Sequence, residues 1–171
     1  MPIKGSNIMA VQENLKQSFA GESQAYVKYT AFAKKAERDK LPGVARLFRA
    51  AAAAEFVHAT AQLNVMGGIQ NTAENLKVAK GGEEYEYNSM YPLFIENAKK
   101  EANIRAEQIF TGAMEAEKLH AALYQRAIDA VEKGKDLEIE KLYVCPVCGY
   151  TVEEKPDKCP VCGVTRFDEI V

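Results

Sequence analysis

Tryptophan is absent from this 171-residue chain, histidine occurs only twice and cysteine only four times. No run approaches the roughly 18 uncharged apolar residues of a membrane-spanning helix. The opening Met1-Pro-Ile-Lys-Gly-Ser-Asn carries no apolar leader core. Neither sign of charge dominates: 22 Lys and Arg against 24 Asp and Glu leave a formal charge of −2. That balance gives nucleic acid or an anionic membrane no electrostatic footing. The expectation is a soluble, cytoplasmic protein with one well-buried core and room for a small appended module.

Scarcity makes the placement of the histidines informative. Both close a Glu-x-x-His step, Glu55-Phe56-Val57-His58 and Glu117-Lys118-Leu119-His120. Three residues on an α-helix turn through about 300°, so each pair leaves from one face and can close on one metal ion. Helical periodicity surrounds both steps. Leu15, Phe19, Glu22, Tyr26, Tyr29, Ala33 and Ala36 recur at steps of four and three. So do Val44, Phe48, Ala51, Glu55, His58, Gln62 and Val65, and then Ala106, Phe110, Ala113, Glu117, His120, Tyr124, Ala127 and Val131. Each series predicts the core stripe of a long helix, with carboxylates and imidazoles in its middle. Buried charge is costly unless it is paired or holds a cation, so Glu22, Glu55 and Glu117 call for metal.

A less regular helix carries Glu83, Glu86, Met90 and Leu93 on one face, and Pro92 predicts a kink near Asn88. Helix ends are expected at Asp39-Lys-Leu-Pro42-Gly43 and near Asn103. A longer crossing from Gly67-Gly68 to Gly81-Gly82 is expected to hold a short helix that begins at Asn71, with Glu74 completing a capping box. The halves also repeat: the Glu-x-x-His steps follow Glu22 and Glu83 by 33 and 34 residues, and Gly21-Glu22 matches Gly82-Glu83. Short, long and short connections predict a mainly α, ferritin-like four-helix bundle over residues 1–134, with one long crossover. One Glu from each of two helices plus Glu-x-x-His from two others is the known constellation of ferritin-like di-iron proteins, so the agreement is a match to a pattern rather than a derivation. Glu86, one turn from Glu83, brings the carboxylates to five. Such ligands suit iron, manganese or zinc.

Composition changes after Lys133-Gly134. Cys145, Cys148, Cys159 and Cys162 spell C-x2-C-x10-C-x2-C, and both knuckles read Cys-Pro-Val-Cys-Gly. The spacing predicts thiolate metal ligation in a small β-rich domain over residues 135–171, too short to fold without its metal. Alone it fits structural zinc or a one-electron iron centre; beside a redox-active pair, iron is favoured.

Gly21-Glu22-Ser23-Gln24-Ala25, Glu55-x-x-His58, Gly82-Glu83-x-x-Glu86, Met90-Tyr91-Pro92, Glu117-x-x-His120 and the two knuckles together resemble the rubrerythrin family over essentially the whole chain. The resemblance implies a non-haem peroxidase that reduces hydrogen peroxide to water in oxidative-stress defence. Its two irons would be held by Glu22, Glu55, His58, Glu83, Glu86, Glu117 and His120, with Glu86 and His58 exchanging on one iron. Tyr29 and Tyr91 would hydrogen-bond near the site, although periodicity alone makes them core residues. A rubredoxin-like centre, one iron per chain on the four cysteines, would pass electrons from a separate NAD(P)H-linked reductase or a rubredoxin. The resemblance further implies a homodimer or larger assembly with the cysteine-bound iron near a neighbouring subunit's di-iron site, the distance within one chain being expected to be too long. Ferroxidase or iron-storage activity, and a structural protein with zinc at every site, are the competing readings.

Overall fold

A computed structural model describes residues 6–171; the reading of the first five residues falls outside them. The chain forms two compact units, Met1–Gln70 and Asn71–Val171, each treated by itself. In the first unit α1 (Ser6–Arg38) and α2 (Pro42–Val65) form an antiparallel hairpin. Its turn follows the expected punctuation: Lys40 takes a left-handed φ of 60° and Pro42 opens α2, where its missing N–H leaves no bond unmade. Arg49 pairs with Glu37 near the turn, and Gln62 Nε2 donates to Ser18 Oγ at 2.7 Å near the open end.

Ala33, Ala36, Ala45, Ala52 and Ala59 are the buried residues where the helices meet, and their short side chains let the backbones approach. The expected stripes are wider than this seam. Tyr26, Val44 and Val65 are exposed, because a pair of helices buries only the strip along which it touches.

The second unit holds three helices, α3 (Thr72–Tyr85), α4 (Tyr91–Lys100) and α5 (Ile104–Glu132). Asn71 caps α3 as expected, its Oδ1 accepting the Glu74 N–H at 3.0 Å. The helix does not stop at Gly81-Gly82, however. It runs through both glycines, so the non-helical part of the crossover is only residues 66–71. Glycine's entropic cost, about 1 kcal/mol per residue, is here outweighed by packing of the helix on α5.

The irregularity expected near Asn88 takes the form of a π turn. This turn, Glu86–Met90, links α3 to α4, and the Tyr91 N–H reaches back five residues to the Glu86 carbonyl. Widening the turn relieves the crowding that a proline ring imposes on the preceding turn. Asn103 caps α5 through its Oδ1 to the Ala106 N–H at 3.1 Å.

After α5 the chain becomes a three-stranded antiparallel sheet in the order β2 (Thr151–Val152), β1 (Leu142–Val144), β3 (Asp168–Ile170). Its small core is Cys145, Cys159 and Phe167, with Tyr143, Tyr150 and Val164 packed against them.

Candidate metal centres

The four cysteine sulfurs converge, with Cys145 Sγ to Cys162 Sγ at 3.5 Å and Cys148 Sγ to Cys159 Sγ at 3.6 Å. These distances are far too long for disulfides and close to the ~3.8 Å edge of a tetrahedron with metal–sulfur bonds of about 2.3 Å. Both knuckles turn alike. The N–H groups of Gly149 and Gly163 donate to the carbonyls of Cys145 and Cys159 at 3.0 and 2.9 Å. Their φ values of +78° and +80° explain the glycine after each second cysteine. Burial alone would raise the Cys159 thiol, but N–H groups of Cys162 and Val161 aimed at its sulfur bring it down to about 7. The Cys148 thiol is pushed far up by burial, against the pull of the Tyr150 N–H. Sulfurs gathered this way favour shedding their protons to a cation.

The carboxylates and imidazoles form two triads, one in each unit. Glu22, Glu55 and His58 bring ligand atoms within 4.8 Å of one another, and so do Glu83, Glu117 and His120. Within the first, His58 Nδ1 lies 3.0 Å from Glu55 Oε2. Glu22 and Glu55 share a hydrogen bond that raises the pKa of Glu22 and lowers that of Glu55, which also accepts from His58. The titrations of the two carboxylates are thus linked to each other.

In the second triad His120 Nδ1 is 2.7 Å from Glu117 Oε2 and 3.9 Å from Glu83 Oε1. Burial, together with the Glu117 charge, raises Glu83 to about 7. Carboxylates that cannot all ionise in a half-buried space without a cation fit a metal site on chemical grounds.

Glu86 stands outside the triad, yet burial and the Glu117 charge both raise its pKa, which places it beside the cluster. The Tyr91 phenol is raised by burial and then by Glu86, Glu117 and Glu83. Its ring packs on Phe94 and Phe110. Tyr29 packs between Phe32 and Phe48.

Two residues near the second triad had no functional signal in the sequence. Tyr124 sits one turn past His120, and burial plus the charges of Glu83 and Glu117 raise its phenol. Its place in the core stripe concealed it. Thr151 is 31 positions from His120, yet its Oγ1 meets His120 Nε2 at 2.9 Å and donates to the Gly149 carbonyl at 2.8 Å. No periodicity links a β-strand threonine to a helical histidine. The contact also puts the cysteine module against the second triad of its own chain, where distance was expected to require a neighbouring subunit.

Comparison with known proteins supplies the family. The family profile described as Rubrerythrin matches residues 13–128, and that of its rubredoxin-like domain matches residues 143–167. The chain belongs to the rubrerythrin family. Rubrerythrin-2 of Clostridium acetobutylicum is 38% identical over 151 residues, covering 80% of this chain and 82% of that protein. Nigerythrin of Nitratidesulfovibrio vulgaris is 38% identical over 152 residues, covering 81% and 74%. Among solved structures, a partially reduced nigerythrin matches with a TM-score of 0.54 at 36% identity, covering 93% of this chain and 86% of that one. A fully reduced, all-ferrous nigerythrin gives 0.53, also at 36% identity.

Rubrerythrins are oxidoreductases of the peroxidase type. Family membership settles what ligand chemistry left open: iron is the metal of both the four-cysteine and the Glu/His sites. The mainly α, ferritin-like class with a small β-rich rubredoxin-like end also stands. No helix among the described residues is long and apolar enough to cross a membrane.

Proposed function

We propose that this rubrerythrin reduces hydrogen peroxide to water, taking up two electrons and two protons for each two waters formed. The observation that carries the reading is the pair of matching Glu/Glu/His triads in a chain that also holds four converging cysteines. Glu22, Glu55 and His58, with Glu83, Glu86, Glu117 and His120, are assigned as ligands of two irons; Cys145, Cys148, Cys159 and Cys162 hold a third. When bound, the paired iron supplies one electron per ion and a Lewis acid for the peroxide oxygens.

The protein's own contribution is proton placement and orientation. Tyr91 Oη keeps its proton beside Glu86, Glu117 and Glu83, because burial and three carboxylates oppose its ionisation. It is thereby a fixed hydrogen-bond donor next to the triad. Tyr29 is assigned the corresponding place in the first unit, on its position about two turns past Glu22 along α1. Residues 1–134 would carry the reaction and residues 135–171 the electron entry, fed by a reductase or rubredoxin drawing on NAD(P)H in the cytoplasm.

A homo-oligomer is part of the reading. The helical hairpin of the first unit leaves Tyr26, Phe56 and Val57 exposed along one groove, an apolar surface of the sort that partners cover.

Anaerobic titration of the iron-loaded, fully reduced protein with hydrogen peroxide tests the reaction. One peroxide per two electrons, with the colour of cysteine-bound ferric iron developing as peroxide is added, is the expected result. Faster oxidation by oxygen than by peroxide, or prompt mineral accumulation, would replace it with iron handling. Zinc in preparations grown with ample iron would leave only a structural role.

A further inference from the structure

We propose that Thr151 is a positioning residue that couples the cysteine module to His120 within one chain, through a hydrogen-bonded bridge from the backbone beside Cys148 to the imidazole. The proposal rests on the metal assignments above. It concerns a residue that neither periodicity nor motif singled out.

Three features of α5 prepare the contact, and they fall at steps of four along one face: Gly112, Ala116 and His120. A Cβ on Gly112 would lie 3.0 Å from Cys148 Cβ, so glycine is what lets the first knuckle sit this close. Ala116, 2% exposed, touches the next knuckle residue, with its Cβ 3.6 Å from where a Cβ on Gly149 would stand. One turn further, Thr151 Oγ1 meets His120 Nε2 at 2.9 Å. Beyond it Arg126 grips Glu153 with both Nη atoms, the second at 3.2 Å, and ties the strand to the helix. The cysteine module is thus seated along the face of the helix that carries Glu117 and His120.

Counting hydrogens fixes the direction of every proton in the bridge. The Thr151 hydroxyl has one hydrogen, and it goes to the Gly149 carbonyl at 2.8 Å. Towards His120 the oxygen can therefore only accept, so His120 carries its proton on Nε2. With a cation held by the triad, the Nδ1 lone pair would be given to it on the side where Glu117 Oε2 and Glu83 Oε1 lie, in place of the proton that Nδ1 and Glu117 share at 2.7 Å without metal. A hydrogen bond on the distal nitrogen sets the tautomer and ring orientation of a ligating histidine and raises its basicity. From Cys148 Sγ the bridge runs through the backbone to the Gly149 carbonyl, the Thr151 hydroxyl and the imidazole, with two hydrogen bonds as its only non-covalent links. With iron at both ends, one electron along it would oxidise a ferrous cysteine-bound iron to ferric and reduce one ferric ion of the pair to ferrous. Every proton in the bridge would stay where it is.

The test compares Thr151→Val, which keeps the shape and removes the hydroxyl, with Thr151→Ser, which keeps the hydroxyl. In full-length protein loaded with zinc alone, the proton on His120 Nε2 should give a solvent-protected nitrogen-coupled resonance in the parent and in T151S. It should be lost in T151V. In the iron protein, the rate at which the colour of the cysteine-bound iron develops after peroxide should fall about tenfold or more in T151V and recover in T151S. The midpoint potential of that iron should stay unchanged in both. Mixed oligomers of a Cys162→Ser chain with a His120→Ala chain should not recover transfer, because neither chain has both ends of the bridge.

A protected proton or an undiminished rate in T151V would overturn the proposal, as would recovery in the mixed oligomers. If the parent iron protein ignores peroxide altogether, the reaction proposed above fails, and the zinc-protein resonance still decides whether the bridge exists.

Discussion

Glu83 offers the clearest quantitative test, because its environment is half-buried and shared with Glu117 and His120. In the metal-free protein it is held at about 7 against an ordinary 4.5, chiefly by burial and then by the Glu117 charge. Its side chain is 20% exposed, so solvent screens part of the effect. A full conversion at 1.36 kcal/mol per pH unit would be about 3 kcal/mol, and screening reduces this to about 1–2 kcal/mol.

The sign follows from proton binding. Between the two values the folded state holds a proton that the unfolded state has released. Stability from this residue is therefore complete below about 4.5 and is lost as pH rises through about 7. Glu83→Gln removes the titration. Urea unfolding of metal-free protein, followed by helical circular dichroism near pH 4.5 and 8, should show the parent losing about 1–2 kcal/mol more than E83Q over that interval. Equal losses in parent and variant would refute the account of the triad as a site whose charge needs a cation.

Other tests address packing and the knuckles. Gly112→Ala should loosen the seat of Cys148 on α5 and raise hydrogen exchange in β2, because its Cβ would meet Cys148 Cβ at 3.0 Å; unchanged exchange would show that the module is not held there. Gly163→Ala places a side chain at φ +80°, which costs about 1–2 kcal/mol, and should weaken zinc retention by the four cysteines in competition with a chelator. Stripping metal from the cysteines should abolish the tertiary signals of residues 142–170 while most helical circular dichroism survives, since so small a core depends on its cation. Asn103→Ala removes the α5 cap and should cost about 1 kcal/mol in thermal or urea unfolding, with no change in the spectrum of the cysteine-bound iron.

Much of this architecture was legible because the governing patterns are local. Glu55 with His58 and Glu117 with His120 lie one turn apart on any α-helix, so spacing alone brought each pair together. The cysteine spacing worked in the same way, since a knuckle is a local turn that demands glycine at Gly149 and Gly163. Legibility failed where tertiary packing decided. Gly81-Gly82 reads as a break, but α3 packs on α5 through it. Pro92 announced an irregularity near Asn88, but not that it would be a π turn. Tyr124 reads as core and Thr151 as an ordinary strand residue, because their roles depend on neighbours that no fixed spacing announces.

The π turn at Glu86–Met90 has a consequence for angular registry. Eight positions separate Glu83 from Tyr91, which on an unbroken α-helix would leave them about 80° apart around the axis. A π turn absorbs one extra residue, so the pair is set as if seven positions apart, within about 20° of alignment. That matches the influence of the Glu83, Glu86 and Glu117 charges on the Tyr91 phenol. The surplus residue works like a shim: excising Ser89 would let the rod close into plain α-helix with the phenol still turned toward Glu83, whereas forcing all eight positions into regular turns would swing it away from the acids.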